Sequence, residues 1–552
     1  MRRRMPVLIA LVLIGIVLVG AGILGWKVAE RYLPTKEAAN LDEVFDCEEG
    51  KVSIFLNNEL RKEKALYVDN QTYFPLDWVN AYLNERYYWD SVEQKLVYAM
   101  PDQILSATAQ SEGSDGKKLL LLEGENVYLS AGLLIQYTDL RMELFEASEH
   151  KRAFVDSLWE SEERAVFRRD AAVRELGGAK SPVITTGQKG EEAVILERLD
   201  KWSKVRTVDG CIGYVSNRHL GSVQTVEQVS SFVQPEYTHI SMEEPVCLVF
   251  HQVTNQDANN NLETLIAKTE GVNVVAPTWF SLKNNNGEFS SLGSISYVEK
   301  AHELGLQVWA LLDNFSTDVN SKTLLTPTSV RQRLIQNLIS EAKRLNLDGL
   351  NMDFEGIREE AGVPYVQFLR ELSIACRREG LVLSIDDYVP TESTLFYNRK
   401  EQGTVADYVI VMGYDEHYEG GEAGPVASLS FVEQGIVDTL REVPKERLIN
   451  AVPFYTRLWT ESEEGLRSKA LGIRAAQNWV NDNQVELTWD ENLGLSYGEY
   501  QTEGQLQYLW MENAESLRKK AELVEKYELA GIACWKLGLE TEDVWAAIQP
   551  LQ

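Results

Sequence analysis

Basic residues and histidines are scarce in this sequence, and their scarcity argues against two classes of function. The 552 residues include 54 Lys and Arg against 84 Asp and Glu, a formal net charge of −30 at pH 7. Nucleic-acid phosphates need a basic footprint, so no nucleic-acid partner is expected. The six histidines form neither an HExxH motif nor a cluster, which gives a metal enzyme little support.

Cysteine is also rare. The five cysteines are odd in number, scattered, and free of any CxxC spacing. Three of them, Cys247, Cys376 and Cys534, lie in apolar stretches typical of buried elements. This pattern favours buried free thiols over a disulfide framework.

The N-terminus combines positive charge with a long apolar run. Arg2, Arg3 and Arg4 precede an uncharged stretch from Met5 to Trp26, long enough to cross a hydrocarbon core of about 30 Å as a helix. Because basic flanks stay cytoplasmic, residues 1–27 are predicted to form a single-pass membrane anchor with the later domains extracellular. A cleaved signal peptide, which would release a secreted protein, is the alternative; however, its apolar core is usually shorter and followed by a cleavage site.

The segment at residues 42–150 predicts a small α+β domain. Its stretches KVSIFLN, KALYVDN and QTYFPL are rich in β-branched and aromatic residues, and LDWVNAYLNERY has helical apolar spacing. The segment resembles the small N-terminal domain named after copper amine oxidases, although it carries no copper ligands. We interpret it as a structural spacer.

A second module is expected at residues 165–223, followed by a linker at 224–242. Alternating apolar residues on both sides of Asp209-Gly210 predict a β-hairpin. The string DKWSKVRTVDGCIGYVSNRHL resembles the bacterial SH3-type barrel. The likeness implies a domain that binds cell-wall peptides or glycans, although a purely structural role stays equally open. The residues that carry it are Trp202, Lys204, Val205, Gly210, Gly213, Tyr214 and Val215.

Residues 243–552 alternate short apolar strands with helical segments, as a parallel sheet requires. The eight candidate strands are CLVFHQV, NVVAPTWF, QVWALLD, GLNMDFE, LVLSIDDYV, YVIVMGYD, LINAVPFYT and GIACWKLGL. Eight is the number that closes a TIM barrel. The predicted fold class is therefore α/β: a (β/α)8 TIM barrel preceded by a small α+β domain, a small SH3-type β-barrel and a transmembrane helix.

The stretch LDGLNMDFEGI carries the clearest functional signal. Side chains alternate along a strand, so Asn351, Asp353 and Glu355 share one face. A buried parallel strand is ordinarily apolar throughout, and polar residues at the carboxyl ends of barrel strands are typical of an active site. Aromatic and acidic residues end most of the other strands too, a composition suited to a carbohydrate groove.

The string DGLNMDFE resembles the D-G-x-D-x-D-x-E signature of family 18 glycoside hydrolases, the chitinase family. VMGYD and GIACWKLGL resemble two further motifs of that family in the same order. Asn351 with PTWFSL, PFYTRLW and WKLGLE is most similar to its branch of spore-cortex and other bacterial cell-wall N-acetylglucosaminidases. The likeness covers about 300 residues and implies a glycosidase acting on peptidoglycan, an N-acetylated amino-sugar polymer.

The resemblance also implies a mechanism and a set of site residues. In this family the substrate's acetamido oxygen attacks the anomeric carbon, and no metal or organic cofactor takes part. Glu355 would be the proton donor, Asp353 would orient the acetamide N–H, and Tyr414 would bond its carbonyl. The residues expected to bind substrate are Asn351, Asp348, Trp279, Asp386, Met412, Asp415, Tyr455, Arg457 and Trp535.

Asn351 departs from the family pattern, which has an acid there. An amide cannot accept a shared proton, so Asp353 is expected to stay anionic. The motifs leave three alternatives open: a hydrolase of chitin or chitooligosaccharides, a catalytically weak glycan-binding protein, and a surface interaction protein that uses the barrel as a scaffold.

Overall fold

The computed structural model describes residues 5–549, which form two compact units. The first unit comprises the described residues up to Tyr87 together with Ala107–Gln234. The second comprises Tyr88–Ser106 together with the chain from Pro235 onward. We had predicted that residues 42–150 form one contiguous domain, whereas the structure assigns 88–106 to the unit that contains the barrel.

The first unit begins with a helix at Met5–Tyr32. Within the described chain, no helix has both the length and the apolar character needed to span a membrane, so the predicted anchor is without structural support. The predicted cytoplasmic arginines, Arg2 to Arg4, lie outside the described residues.

The α+β part of this unit is built on a seven-stranded sheet. Its strands are Lys51–Leu56, Glu59–Val68, Gln71–Pro75, Leu120–Glu123, Asn126–Ser130, Arg141–Phe145 and Arg152–Asp156, and its helices are Leu41–Val44, Leu76–Tyr82 and Ala131–Tyr137. The first strand lies inside the sheet and pairs with the last in parallel.

The SH3-type part is a second seven-stranded sheet. Its strands are Glu162–Phe167, Ala171–Arg174, Val183–Gly187, Glu192–Arg198, Trp202–Thr207, Ile212–Ser216 and Leu220–Val226. The predicted hairpin is confirmed: Trp202 pairs with Ser216 across a turn in which Gly210 has a φ of 68°, a conformation that glycine adopts freely. The two sheets are joined by an ion pair in which Arg206 lies 3.2 Å from Asp156.

The second unit contains the predicted barrel. Its strands are β1 (Val246–His251), β2 (Val274–Pro277), β3 (Gln307–Asp313), β4 (Gly349–Asp353), β5 (Val382–Tyr388), β6 (Tyr408–Met412), β7 (Leu448–Pro453) and β8 (Gly531–Trp535). Each strand pairs in parallel with the next, and β8 pairs with β1, which closes the barrel. All eight strands predicted from the sequence are confirmed.

The outer ring of helices buries apolar side chains against these strands. The helices are α1 (Leu262–Ile266), α2 (Ile295–Glu303), α3 (Thr328–Leu345), α4 (Gly362–Glu379), α5 (Arg399–Val405), α6 (Leu429–Thr439), α7 (Ala514–Lys526) and α8 (Asp543–Ile548). Helix α4 ends at Gly380, whose φ of 70° supplies the left-handed cap. A short additional helix, Ser321–Leu325, precedes α3.

A three-stranded sheet packs on α3 from outside the barrel. Its strands are Tyr87–Asp90, Lys95–Ala99 and Ile104–Ala107. Asp90 Oδ2 accepts bonds from the Thr328 amide and hydroxyl, both at 2.6 Å, and Glu93 Oε1 accepts one from the Ser329 amide at 2.8 Å. The amides at the beginning of α3 therefore find carboxylates from a distant segment.

Between β7 and α7 the chain inserts a β-rich subdomain. Its strands are Tyr455–Ser462, Gly465–Gly472, Thr488–Asp490, Leu495–Thr502 and Gln505–Met511, with a helix at Ile473–Asp482. One face of this sheet packs on the helix through Leu458, Leu509 and Val480. Because Tyr455 lies two residues after the last residue of β7, the insertion starts at the carboxyl end of the barrel strands.

All five cysteines are free, as predicted, and all but Cys47 are buried.

Candidate active site

The carboxyl ends of the barrel strands converge on a cavity of about 170 Å³. Carboxylates and aromatic rings dominate its lining. The lining residues are Phe250, Phe315, Asp353, Glu355, Asp386, Tyr388, Met412, Tyr414, Asp415, Tyr455 and Trp535. Eight of the twelve residues that the sequence singled out therefore lie together around one cavity.

Glu355 follows β4 and is held at both its backbone and its side chain. Its amide donates to Asn314 Oδ1, and its carbonyl accepts from Asn314 Nδ2, each at 2.9 Å. Its Oε2 accepts a 2.8 Å bond from the Tyr388 hydroxyl. Burial raises the pKa of Glu355, the Tyr388 bond lowers it, and the charge of Asp415 raises it. The net rise favours the protonated acid at higher pH than for an ordinary glutamate.

Asp353 points into the barrel beside Asp386 of the neighbouring strand. Burial, followed by the charges of Asp386, Glu355 and Asp313, raises the pKa of Asp353 well above its usual value. Burial likewise raises the pKa of Asp386 to about 8, although its bond from Asn351 lowers it. One buried oxygen of Asp353, Oδ1, has no hydrogen-bond partner among residues 5–549. An unsatisfied buried oxygen facing a cavity is placed to meet a ligand's donor.

Asn351 lies on the same face but deeper, fully buried in the barrel. Its Nδ2 donates to Asp386 Oδ1 at 2.8 Å and to Ser384 Oγ at 3.0 Å. We expected Asp353 to stay anionic beside this amide, but its pKa is raised, which favours the protonated form. The reason is that burial, and after it the neighbouring carboxylate charges, disfavour the anionic form of Asp353.

The opposite side of the cavity comes from β6, β7 and β8. The Tyr455 hydroxyl donates to Asp415 Oδ1 at 2.5 Å, and the Tyr414 and Tyr455 rings pack edge to face. Trp535 ends β8, with its ring centroid 5.4 Å from that of Phe250. An indole face beside a row of polar groups suits a sugar ring, which has one apolar face and an equatorial belt of hydroxyls.

Besides the deeper Asn351, three of the predicted residues do not line this cavity. Asp348 precedes β4 at the other end of the barrel, where it accepts bonds from His302 Nε2 and the Val308 amide, both at 2.8 Å. Trp279 is 1% exposed and donates to Asn259 Oδ1 within the core. Arg457 points to Ser468 in the inserted sheet, at 3.1 Å.

Two residues that hold Glu355 were missed. Tyr388 and Asn314 each follow the apolar core of a strand, β5 and β3 respectively, and both occur among the polar strand ends noted in the sequence. Their place at the carboxyl ends of strands is a usable signal for any barrel site, but only the folded barrel brings them next to Glu355.

Comparison with known proteins agrees with this geometry. The model of glycosyl hydrolases family 18 matches residues 253–540, and the model of the bacterial SH3 domain matches residues 169–221. The SH3-type likeness found in the sequence is thereby confirmed.

Individual relatives are distant. An uncharacterised glycosylase of Bacillus subtilis is 24% identical over 294 residues, which is 50% of this chain and 84% of that protein. The cortical fragment-lytic enzyme of the same species is 27% identical over 238 residues, 42% of this chain and 55% of the enzyme. The chain thus spans little more than half of that relative's length.

Two solved structures share the barrel fold. The spore cortex-lytic enzyme of Bacillus cereus is 20% identical with a TM-score of 0.51, covering 61% of this chain and 79% of its own. The chitinase of Chromobacterium violaceum is 22% identical with a TM-score of 0.51, covering 55% of this chain and 98% of its own. The barrel, the acidic cavity and a family match over more than half of the residues lead to one conclusion: this chain belongs to family 18 of the glycosyl hydrolases.

Proposed function

We propose that the protein hydrolyses the β-linkage next to N-acetylglucosamine in bacterial cell-wall or spore-cortex peptidoglycan. The observation that carries this proposal is the grouping of Glu355, Asp353 and Tyr414 around one cavity floored by Trp535. The names of the cortical fragment-lytic relatives favour a peptidoglycan substrate over chitin.

In this proposal Glu355 donates a proton to the glycosidic oxygen. Its raised pKa extends the protonated form to higher pH than an ordinary glutamate allows, which suits a general acid. The substrate's acetamido oxygen then attacks the anomeric carbon, and water resolves the resulting ring with retention. The Tyr414 hydroxyl bonds the acetamide carbonyl, and the unpartnered Oδ1 of Asp353 receives the acetamide N–H.

Asp386 takes the proton-sharing position that Asn351 cannot fill. The charge of Asp386 raises the pKa of Asp353, and Asn351 holds Asp386 through a 2.8 Å bond. When the two carboxyl groups share one proton, that proton can move from Asp353 to the ionised Asp386 as Asp353 accepts the acetamide N–H, so the pair carries a single negative charge before and after the transfer.

The test compares two substitutions on two substrates. Glu355→Gln should lower kcat on peptidoglycan by about 10²–10⁴-fold, because it removes the transferable proton. The loss should be smaller on an aryl N-acetylglucosaminide, whose leaving group needs little protonation. Asp353→Asn should impair both substrates. Full activity of Glu355→Gln on the polymer would refute the assignment, and product mass spectrometry on peptidoglycan and chitin in parallel decides between those polymers.

We also propose that the domains after the first helix lie outside the cytoplasm, where the polymer is. The arginines and apolar run at the N-terminus support this location. Protease added to intact cells should degrade the barrel while a cytoplasmic marker survives. Recovery of the chain from the medium would mean that it is secreted, and full protection of a cell-associated chain would contradict the proposal.

A further inference from the structure

A second cavity, of about 400 Å³, adjoins the candidate active site. Glu355 and Phe315 line both cavities, and the other residues of the two linings differ. Its walls are the segments after β3 and β4: Asn314 to Lys322 on one side, Glu355 to Ala361 on the other. It therefore begins at the carboxyl group that would protonate the leaving sugar.

Two cationic side chains line this second cavity, Lys322 from one wall and Arg358 from the other. Within residues 5–549 neither forms an ion pair, although the chain as a whole carries a net charge of −30. Besides Glu355, the cavity's acid is Glu360, and Arg358 also borders a depression that contains Glu359 and Glu392. None of these carboxylates lies within ion-pairing distance of either cation. Both cations thus remain available to an anionic ligand.

The position of the cavity indicates which part of a glycan would enter it. With the N-acetyl sugar above Trp535, the bond to be broken lies at Glu355, so the sugar on the leaving side extends beyond that residue. A neutral sugar could accept hydrogen bonds from these side chains but would leave both charges uncompensated. A carboxylate would compensate them and would also accept paired bonds from the planar guanidinium and a bond from the flexible ammonium.

We propose that the cavity between Lys322 and Arg358 binds a carboxylate carried by the sugar on the leaving side of the scissile bond. The favoured substrate is then a polymer in which a neutral N-acetylated sugar alternates with one bearing a carboxylate substituent, either its own ether-linked acid or the peptide attached to it. This inference rests on the proposed function and makes it specific: the same residues distinguish peptidoglycan from the uncharged polymer chitin.

The test uses the full chain and three forms of one glycan strand. The first form keeps its peptides, the second has free ether-linked carboxylates, and the third has those carboxylates converted to methylamides; chitohexaose is a further neutral substrate. The variants are Arg358→Gln, Lys322→Gln and the pair, with the exposed Lys268→Gln as matched control. The double variant should raise KM on the free-carboxylate strand by about tenfold, because it loses two exposed ion pairs with the substrate. Its kcat should stay nearly unchanged.

The neutral substrates should respond to none of these substitutions, and added salt should remove the wild-type preference for the charged strand. A KM increase of the same size on the methylamide strand, or no increase on any charged strand, overturns the inference. If the increase occurs only on strands with peptides, the bound carboxylate belongs to the peptide rather than to the sugar.

Binding separates this inference from the proposed function. Calorimetry on the Glu355→Gln variant, with and without Arg358→Gln, measures the preference for the charged strand without turnover. If the variant prefers the charged strand but the wild-type protein cleaves no strand, the proposed function alone is refuted. Cleavage without any preference would refute the inference alone.

Discussion

Tyr388 is the side chain through which the protein adjusts the acidity of Glu355. Its hydroxyl donates to Glu355 Oε2 at 2.8 Å and accepts the Gly356 amide at 3.1 Å. A donor to a carboxylate stabilises the charged form and therefore lowers the pKa of the acid. Tyr388 therefore positions Glu355 and lowers its pKa, while the proton of the Tyr388 hydroxyl takes no part in the proposed reaction.

Replacing Tyr388 by phenylalanine should move the alkaline limb of the kcat/KM–pH profile to higher pH. Without the hydroxyl bond the pKa of Glu355 rises further, so the protonated acid persists at pH values where the wild type has lost it. The loss of kcat at the optimum should be far smaller than for Glu355→Gln. Tyr418→Phe, on an exposed side chain, is the matched control. An unmoved or acid-shifted limb would contradict this role.

At this scale the sequence identified part of the site. Asp353 and Glu355 were predictable because alternation along one strand is a local property. Asp348 matches the family motif equally well, yet it precedes β4 and therefore lies at the opposite end of the barrel. Trp279 was expected in the groove, but its indole N–H found a buried partner in Asn259. A motif gives spacing and does not say which side chains turn inward after a strand ends.

Helix α3 depends on a cap that lies far away in the sequence. Asp90 receives two bonds from Thr328, 238 residues later, and its other oxygen stabilises its own turn through the amides of Val92 and Glu93. Local capping patterns in a sequence extend over about four residues, so this contact could not be predicted. The barrel strands, whose signals are local, were predicted correctly.

Asp90→Ala should lower the free energy of unfolding by about 1–2 kcal/mol, as expected for a lost N-cap. Asp102→Ala is the control in the same segment, since only the backbone carbonyl of Asp102 accepts a bond, from Arg378. Chemical denaturation followed by tryptophan fluorescence measures both variants. Equal stabilities for the two would mean that Asp90 does not support α3.

The unit that contains the barrel includes Tyr88–Ser106, a segment more than a hundred residues before the rest of the unit begins at Pro235. The Tyr88 hydroxyl donates to the Thr326 carbonyl at 2.8 Å, and its ring lies 4.6 Å from the guanidinium of Arg331, which is fully buried with Glu371. A barrel cut at the linker would expose this ion pair and leave the first turn of α3 uncapped.

A chain of residues 235–552 should therefore unfold at least roughly 5 °C below the same chain joined to residues 88–106 by a flexible linker. Calorimetry on the two purified proteins measures the difference. A linked version carrying Asp90→Ala should fall between them. Indistinguishable melting temperatures would mean that the 88–106 sheet contributes nothing to the stability of the barrel.

The contact between Asp90 and Thr328 also has a consequence in time. A chain is synthesised from its N-terminus, so the 88–106 sheet emerges before α3 exists. At ordinary rates of translation the 238 intervening residues take roughly 10–50 s. During that interval the side of the sheet that contacts α3 stays uncovered, and surface exposed during folding is prone to associate with other chains. The speed of synthesis thus bears on how much of this enzyme reaches its folded form.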